Sequence, residues 1–198
     1  MGKVVIDMSI SLDGYITGPN DSFKQPLGEK GEVLHDWLFS GDQASQVNEF
    51  FKLSEANRVV HDKSQKNAGA MIVGRGMYDA VNGWEGSHPN IGVPVFVVTH
   101  REPEEVPQGT TPFTFVLDGV VSAVKKAKAI SGGKEIGVAG ASIAQQCLKA
   151  DLVDEVFLHI VPVILGKGKR LFKEFTSLEI VEVIDAPDVT HIRYKINQ

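Results

Sequence analysis

One stretch of the sequence, residues 135–172, constrains the fold more than any other. An apolar run at residues 136–139 ends at Gly140, and the next segment places apolar side chains at helical spacing through residue 148. A second apolar run follows at residues 156–161. This order of strand, glycine turn, helix and strand predicts a crossover that joins two parallel strands of an α/β sheet.

The glycine turn in this stretch has two possible roles. Residues 140–143 place backbone N–H groups at a helix N-terminus, where unpaired donors and the helix dipole both favour an anion such as phosphate. The same turn, Gly140-Ala141-Ser142, is also what close packing of a helix on a strand requires. It does not match the GxGxxG fingerprint, and the chain has no Walker A sequence, so the turn taken alone leaves both roles open.

The composition narrows the class of protein. The 198 residues are 42% hydrophobic and 23% charged, which predicts a single domain, residues 1–198, with a sizeable core. The net charge of −5 argues against nucleic acid or an anionic membrane as a partner, and no apolar run reaches the length of a membrane span. The single cysteine, Cys147, excludes an internal disulfide and a zinc site built on paired cysteines. With no signal-peptide pattern at the start, these features predict a cytoplasmic protein.

The remaining segments extend this α/β pattern. Buried strands are predicted over residues 3–10, 70–73, 93–98 and 113–117, and an antiparallel hairpin over residues 178–184 and 189–196. Helices are predicted over residues 32–40, 46–53 and 120–130, and residues 62–67 are interpreted as a polar segment that leads into a strand. In open α/β sheets, ligands bind at the carboxyl ends of the strands, so the residues that follow each strand are the first candidates for a site.

Two arginine segments follow predicted strands in this way. Gly74-Arg75 and Thr99-His100-Arg101 share an edge with Gly140 if the sheet is parallel there. A guanidinium is a planar cation with several donors and suits a phosphate, although each arginine alone could instead be a surface group paired with Asp79 or Glu102. Both segments beside a glycine turn favour a dinucleotide that carries an additional phosphate.

Candidate catalytic and substrate-binding residues are less well specified. Asp13 and Asp36 could donate a proton if they were partly buried with a raised pKa, but Asp13 also suits an Asx turn and Asp36 a solvated helix position. Gly166 and Gly168 favour close backbone approach to a ligand, or a basic surface turn. His159 lies in an apolar run and is interpreted as a hydrogen-bonded core residue, and the six histidines show no spacing typical of metal ligands.

Four motifs, taken together, resemble a known family. They are Ser9-Ile10-Ser11-Leu12-Asp13-Gly14-Tyr15-Ile16, Met71-Ile72-Val73-Gly74-Arg75-Gly76-Met77-Tyr78, Val138-Ala139-Gly140-Ala141-Ser142 and Pro162-Val163-Ile164-Leu165-Gly166-Lys167-Gly168. In this order they resemble the dihydrofolate reductase superfamily, and within it the branch that includes the C-terminal reductase domain of the bifunctional riboflavin-biosynthesis deaminase-reductase. The zinc deaminase half of that enzyme has no counterpart here.

The resemblance implies a three-layer α/β fold of the dihydrofolate reductase type, with a mostly parallel central sheet, an antiparallel C-terminal hairpin and flanking helices. It implies an NADPH-dependent reductase of a pterin- or pyrimidine-like or carbonyl substrate, such as a 5-amino-6-(5-phosphoribosylamino)uracil reductase, and a homodimer. The implied cofactor-binding residues are Ile16, Gly74, Arg75, Met77, Thr99, His100, Arg101, Ala139, Gly140, Ala141, Ser142 and Ile143. The implied catalytic residues are Asp13 and Asp36, and the implied substrate-binding residues are Trp37, Gly166 and Gly168. The alternative is a non-catalytic nucleotide-binding or interaction module that keeps the reductase fold.

Overall fold

A computed structural model describes residues 2–197 and shows strands alternating with helices. The strands are β1 (Val4–Ser11), β2 (Tyr15–Thr17), β3 (Gln43–Ala44), β4 (Lys52–Leu53), β5 (Ala68–Gly74), β6 (Val95–Val98), β7 (Phe113–Val116), β8 (Glu135–Ala139), β9 (Glu155–Val161), β10 (Lys169–Arg170), β11 (Leu178–Ala186) and β12 (Val189–Ile196). The α-helices are α1 (Glu55–Asn67), α2 (Arg75–Ala80), α3 (Val120–Ile130) and α4 (Ala141–Lys149), and two 3₁₀ helices span Gly31–Phe39 and Asn82–Gly86.

Eight of these strands form one sheet, in the order β11-β12-β9-β1-β8-β5-β6-β7. Every neighbouring pair from β9 to β7 is parallel, whereas β12 pairs antiparallel with β9 and β11 antiparallel with β12. The predicted mostly parallel sheet with an antiparallel C-terminal hairpin is therefore confirmed. Because the parallel strands run in one direction, the segments that follow β1, β5, β6, β8 and β9 all leave the sheet at the same edge.

One face of the sheet is an apolar core under α3 and α4. Fully buried side chains of the central strands, such as Ile6, Ile72 and Ile136, pack there against Ala144 and Cys147 of α4. Strands β5, β6 and β8 are covered on both faces, which explains why their sequences contain continuous apolar runs rather than alternating ones. Burial raises the pKa of the Cys147 thiol to about 11, so this cysteine packs as a small apolar residue and is not a reactive thiolate.

The opposite face, under α1, carries a buried chain of polar side chains. His159 Nε2 lies 2.9 Å from Asp7 Oδ1, and His159 Nδ1 lies 2.7 Å from His191 Nδ1. His191 Nε2 in turn lies 3.0 Å from Asn57 Oδ1. His191 and Asn57 are fully buried, and Ser64 of α1 closes the other end by donating to Asp7 Oδ2 at 2.7 Å. The interpretation of His159 as a hydrogen-bonded core residue is confirmed.

The donor and acceptor roles of Asn57 determine which nitrogen of His191 carries the proton. Asn57 Nδ2 donates to the Trp37 carbonyl and to Asp188, so Asn57 Oδ1 must accept the proton on His191 Nε2. A neutral His191 with its proton on Nε2 then accepts at Nδ1 from His159 Nδ1. Burial alone raises the pKa of Asp7, but hydrogen bonds from His159 and Ser64 outweigh it and leave the pKa below its ordinary value. Asp7, which is half-buried, is therefore held by hydrogen bonds from both Ser64 and His159.

Two sequence-based predictions in this region were wrong. Residues 46–53 do not form a helix, because Ser45 Oγ accepts the N–H groups of Val47 and Asn48 in a turn that leads from β3 to β4. The polar segment at residues 62–67 is the end of α1, which begins after the N-cap Ser54. Its helical pattern was missed because its buried face carries polar residues, including Asn57 and Asp62, rather than an apolar stripe. The predicted helix over residues 32–40 is the 3₁₀ helix Gly31–Phe39.

The buried row of hydrogen-bonded side chains that includes His191 predicts that the protein loses stability in acid. Burial and the neighbouring His159 lower the pKa of His191 from 6.5 to about 3. Between these values the unfolded chain binds a proton that the folded chain does not, so the free energy of unfolding falls as the pH falls, by up to about 1.4 kcal/mol per pH unit. Urea unfolding from pH 6 to pH 4 should show a slope smaller by about 1 kcal/mol per unit for His191→Gln than for the unmodified chain. Equal slopes would show that His191 titrates normally in the fold.

Candidate functional site

The segments after β5 and β8 meet at the carboxyl edge of the sheet. Gly74 ends β5 so close to α4 that a Cβ added there would lie 3.0 Å from Ile143 Cγ1. Gly140 follows β8 with a φ of +91°, and a Cβ at this position would lie 3.8 Å from Met77 Sδ. The structure thus brings Gly74, Met77, Gly140 and Ile143 together, as the sequence predicted for this edge. Ala139 is buried just below them against Val73.

The N-terminus of helix α4 presents unpaired N–H groups to an anion at this edge. Gly140 is its N-cap, and no side chain in the described part of the chain caps the helix. The first hydrogen bond of the helix runs from the Ala144 N–H to the Gly140 carbonyl, which leaves the N–H groups of residues 141–143 at the helix end. Ser142 is exposed, and its hydroxyl accepts from Gln146 Nε2 at 3.1 Å. Free donors beside a residue without a side chain are typical of a phosphate site.

The two arginine segments are also in contact. Arg75 donates from Nη1 to the Arg101 carbonyl at 2.9 Å, and the Thr99 hydroxyl donates to the same carbonyl at 2.7 Å. These bonds tie the turn after β6 to the start of α2, with His100 and Arg101 exposed. Arg75 also donates from Nε to Asp79 Oδ1 at 2.6 Å, which is the alternative pairing that the sequence allowed. A cavity of about 580 Å³ lies between the two arginines.

The Asp13 carboxylate connects the loop after β1 to the loop after β9 through hydrogen bonds. Its Oδ1 accepts from the Ser11 hydroxyl at 2.6 Å and from the Leu165 N–H at 3.1 Å, and its Oδ2 accepts from the Gly166 N–H at 2.6 Å. The hydrogen bond from Ser11 and those from the two amides hold the pKa of Asp13 below its ordinary value. A proton donor near neutral pH needs a raised pKa, so this geometry speaks against the predicted catalytic role and assigns Asp13 to fixing the loop after β9.

The 3₁₀ helix Gly31–Phe39 carries Asp36, which was predicted to be catalytic, and Trp37, which was predicted to bind substrate. Asp36 lies on its exposed side. Trp37, predicted to bind substrate, is only 4% exposed: its Nε1–H donates to Ser9 Oγ at 3.0 Å, and its ring packs 4.8 Å from the ring of His159. The structure therefore corrects this prediction and makes Trp37 a core residue that anchors the 3₁₀ helix to the sheet. From the sequence alone, a tryptophan on a short amphipathic segment could either bind a substrate or pack in the core.

Three further predicted site residues lie in or near the loop after β9. Ile16 is buried in the main apolar core, so its side chain does not face a ligand. A Cβ added to Gly168 would lie 1.8 Å from the Thr17 carbonyl, so a glycine is required here for the loop to approach β2. Gly166 is exposed with a φ of +73°, next to Asp13.

Arg170 lies beside these loops, although the sequence placed it only at the end of a possible ligand loop or basic surface turn. Its guanidinium lies 4.6 Å from the centroid of the Tyr15 ring, and its Nη1 donates to the Asp13 carbonyl at 3.2 Å. Gln145 of α4 donates to the Arg170 carbonyl at 3.0 Å. Arg170 therefore links the loop after β1 with the loop after β9 and with α4. Its position after a glycine-rich segment was visible in the sequence, but its aromatic partner, which lies far from it along the chain, was not.

The family is established by comparison with known proteins. The chain belongs to the RibD C-terminal domain family, whose model matches residues 2–186. It is 27% identical over 188 residues to the uncharacterized protein YyaP of Bacillus subtilis strain 168, covering 90% of this chain and 86% of that one. A Shewanella sp. PV-4 protein, assigned provisionally to riboflavin biosynthesis, has a TM-score of 0.70 and 26% identity, with both chains covered in full.

More distant structures share the fold. The Thermotoga maritima diaminohydroxyphosphoribosylaminopyrimidine deaminase/5-amino-6-(5-phosphoribosylamino)uracil reductase has a TM-score of 0.57 and 16% identity, covering 99% of this chain and 57% of that one. Dihydrofolate reductase from Enterococcus faecalis, solved with NADP(H), has a TM-score of 0.56 and 12% identity, covering 100% of this chain and 98% of that one. The fold is thus that of the dihydrofolate reductase superfamily. No helix within residues 2–197 is long and apolar enough to cross a membrane.

The bracing role of Asp13 predicts a local effect. In Asp13→Ala, the Leu165 and Gly166 amides lose their acceptor, so their hydrogen exchange should speed up by about tenfold or more, while exchange in β5 and β8 stays unchanged. Asp36→Ala is the matched control, because it removes an exposed carboxylate of the same charge and should leave both amides protected. Unchanged exchange at residues 165 and 166 in the Asp13 variant would contradict the assignment.

Proposed function

We propose that the chain is an NADPH-dependent reductase that transfers a hydride to a small pterin- or pyrimidine-like heterocycle or carbonyl compound. The observation that carries the proposal is the meeting of three segments that are distant in sequence, residues 74–75, 99–101 and 140–143, at one edge of the parallel sheet. Family membership and the NADP(H)-bound relative of the same fold support a nicotinamide cofactor.

Each segment takes a distinct part of the cofactor in this proposal. The N–H groups of residues 141–143 bind the pyrophosphate, because Gly140 presents backbone without a side chain at the start of α4. Arg75 and Arg101 bind the 2′-phosphate of the adenosine, and Thr99 holds their turn in place through the Arg101 carbonyl. Hydrogen-bond donors of the chain are thus assigned to both the pyrophosphate and the 2′-phosphate of the cofactor.

The reacting end lies where the loops after β1 and β9 meet. The bound nicotinamide supplies the hydride, and the chain supplies orientation and electrostatics. Asp13 and Arg170 hold these loops against each other through their hydrogen bonds. Because Asp13 is held ionised by its hydrogen bonds, we infer that water rather than this carboxyl supplies the proton.

Asp13→Asn should then leave the shape of the pH dependence of kcat unchanged.

The alternative function is a nucleotide-binding module without turnover. The observation that favours it is that hydrogen bonds lower the pKa of Asp13 and that Asp36 lies exposed on the 3₁₀ helix. The deciding experiment is an NADPH oxidation assay with a panel of pterins, phosphoribosylaminopyrimidines and quinones. Turnover with one class establishes the reductase and its substrate. Saturable NADPH binding with no turnover across the panel would favour the module.

The arginine assignment predicts a change in cofactor preference. Arg75→Ala and Arg101→Ala should each raise the Kd for NADPH by about tenfold, since each removes a charged partner of the 2′-phosphate, and should leave the Kd for NADH within about twofold. Isothermal titration calorimetry measures both. Lys149→Ala is the control, because it removes one positive charge at the far end of α4. Equal losses for NADPH and NADH would contradict the assignment.

The glycine turn predicts a different pattern. Gly140→Ala places a side chain on a backbone with a φ of +91°, which strains the start of α4 and moves the N–H groups that face the pyrophosphate. Both cofactors carry this group, so NADPH and NADH should lose affinity by the same factor, tenfold or more. Circular dichroism should show an intact fold. A loss confined to NADPH would place the pyrophosphate elsewhere.

A further inference from the structure

The cavity between the two arginines is unusually acidic for a site that receives a phosphate. Arg75 and Arg101 line it, but so do the carboxylates of Asp79, Glu102, Glu104 and Glu105. Two positive and four negative side chains leave the lining with an excess of negative charge. A phosphate that enters this cavity therefore gains from the arginines and is opposed by the carboxylates.

Among these carboxylates, Asp79 has a specific contact. It accepts from Arg75 Nε at 2.6 Å, while Arg75 Nη1 donates to the Arg101 carbonyl at 2.9 Å. Within residues 2–197, Nη2 of this guanidinium makes no hydrogen bond, so its donors remain for a ligand. Asp79 therefore positions the arginine with its outer donors free and adds a negative charge within reach of whatever they bind.

Helix stability does not explain the pair. Arg75 is the first residue of α2, and Asp79 is next to its end. Cations are favoured at the C-terminus of a helix and anions at the N-terminus, so both charges sit at the less favourable end. An i,i+4 ion pair is also stronger with the acidic residue first, which is the reverse of the order here. The placement points to a function in the cavity.

We propose that Asp79 sets the preference between NADPH and NADH. The carboxylate opposes the 2′-phosphate of NADPH through its charge, and it can accept a hydrogen bond from the free ribose hydroxyl of NADH. The same side chain keeps Arg75 oriented, but its charge makes the site bind NADPH less tightly than the two arginines alone would. This inference rests on the proposed function, because it requires the cavity to receive the adenosine end of the cofactor.

Asp79→Asn separates the two effects, since the amide oxygen still accepts from Arg75 Nε while the charge is gone. Calorimetric titration with NADPH and NADH at one ionic strength should show the ratio of the two affinities rise by about tenfold in favour of NADPH. Glu105→Gln removes a charge that faces the same cavity without contacting Arg75, and should change the ratio by less than half as much. Asp151→Asn, which follows α4, should leave it unchanged.

The outcomes separate this inference from the proposed function. If the unmodified chain binds NADPH but Asp79→Asn leaves the ratio unchanged or lowers it, the role of Asp79 is wrong while the reductase proposal stands. An equal shift in Glu105→Gln would show that the field of the whole cavity, and not Asp79, sets the preference. If the unmodified chain binds neither dinucleotide, both proposals fail. Asp79→Ser, titrated in the same way, replaces the asparagine variant if that variant does not melt cooperatively.

Discussion

The parallel pairing of β8, β5 and β6 is the constraint on which the candidate site depends. It sends the glycine turn of α4, the start of α2 and the turn after β6 out of the sheet at one edge. Gly74 then lets α4 approach β5 closely, and Arg75 reaches the turn after β6 through the Arg101 carbonyl. None of these contacts is local in sequence. A shift of one strand in the sheet would separate the donors that we assign to one dinucleotide.

The two faces of the sheet stabilise the fold in different ways. The face under α3 and α4 is apolar, and its packing holds α4 in the place where its N-terminus meets the edge. The face under α1 instead buries the chain from Asp7 through His159 and His191 to Asn57. A polar chain of this kind is stable only when every member is paired, which joins β1, β9, β12 and α1 in one arrangement. Trp37 packs on this chain and so fixes the 3₁₀ helix beside the site.

Sequence reasoning predicted the order of the strands along the chain, the hairpin and the edge that carries Gly74, Arg75 and Gly140, because apolar runs and glycines are local signals. It missed α1, since the buried face of this helix carries Asn57, His61 and Asp62 in place of an apolar stripe. It misassigned Trp37, whose partners come from other strands. The pKa of Asp13 could not be predicted either, because two of its three partners are the amides of residues 165 and 166, far along the chain.

In the function that we propose, residues 141–143 and 99–101 bind the phosphates of the same cofactor. The most direct measurement is a ¹H–¹⁵N correlation spectrum of the labelled chain during titration with NADPH. We predict saturable shifts of the amides of Ala141, Ser142 and Ile143 together with those of His100 and Arg101, at a common Kd. Shifts confined to other regions, such as the cavity between α4 and residues 172–177, would contradict the claim.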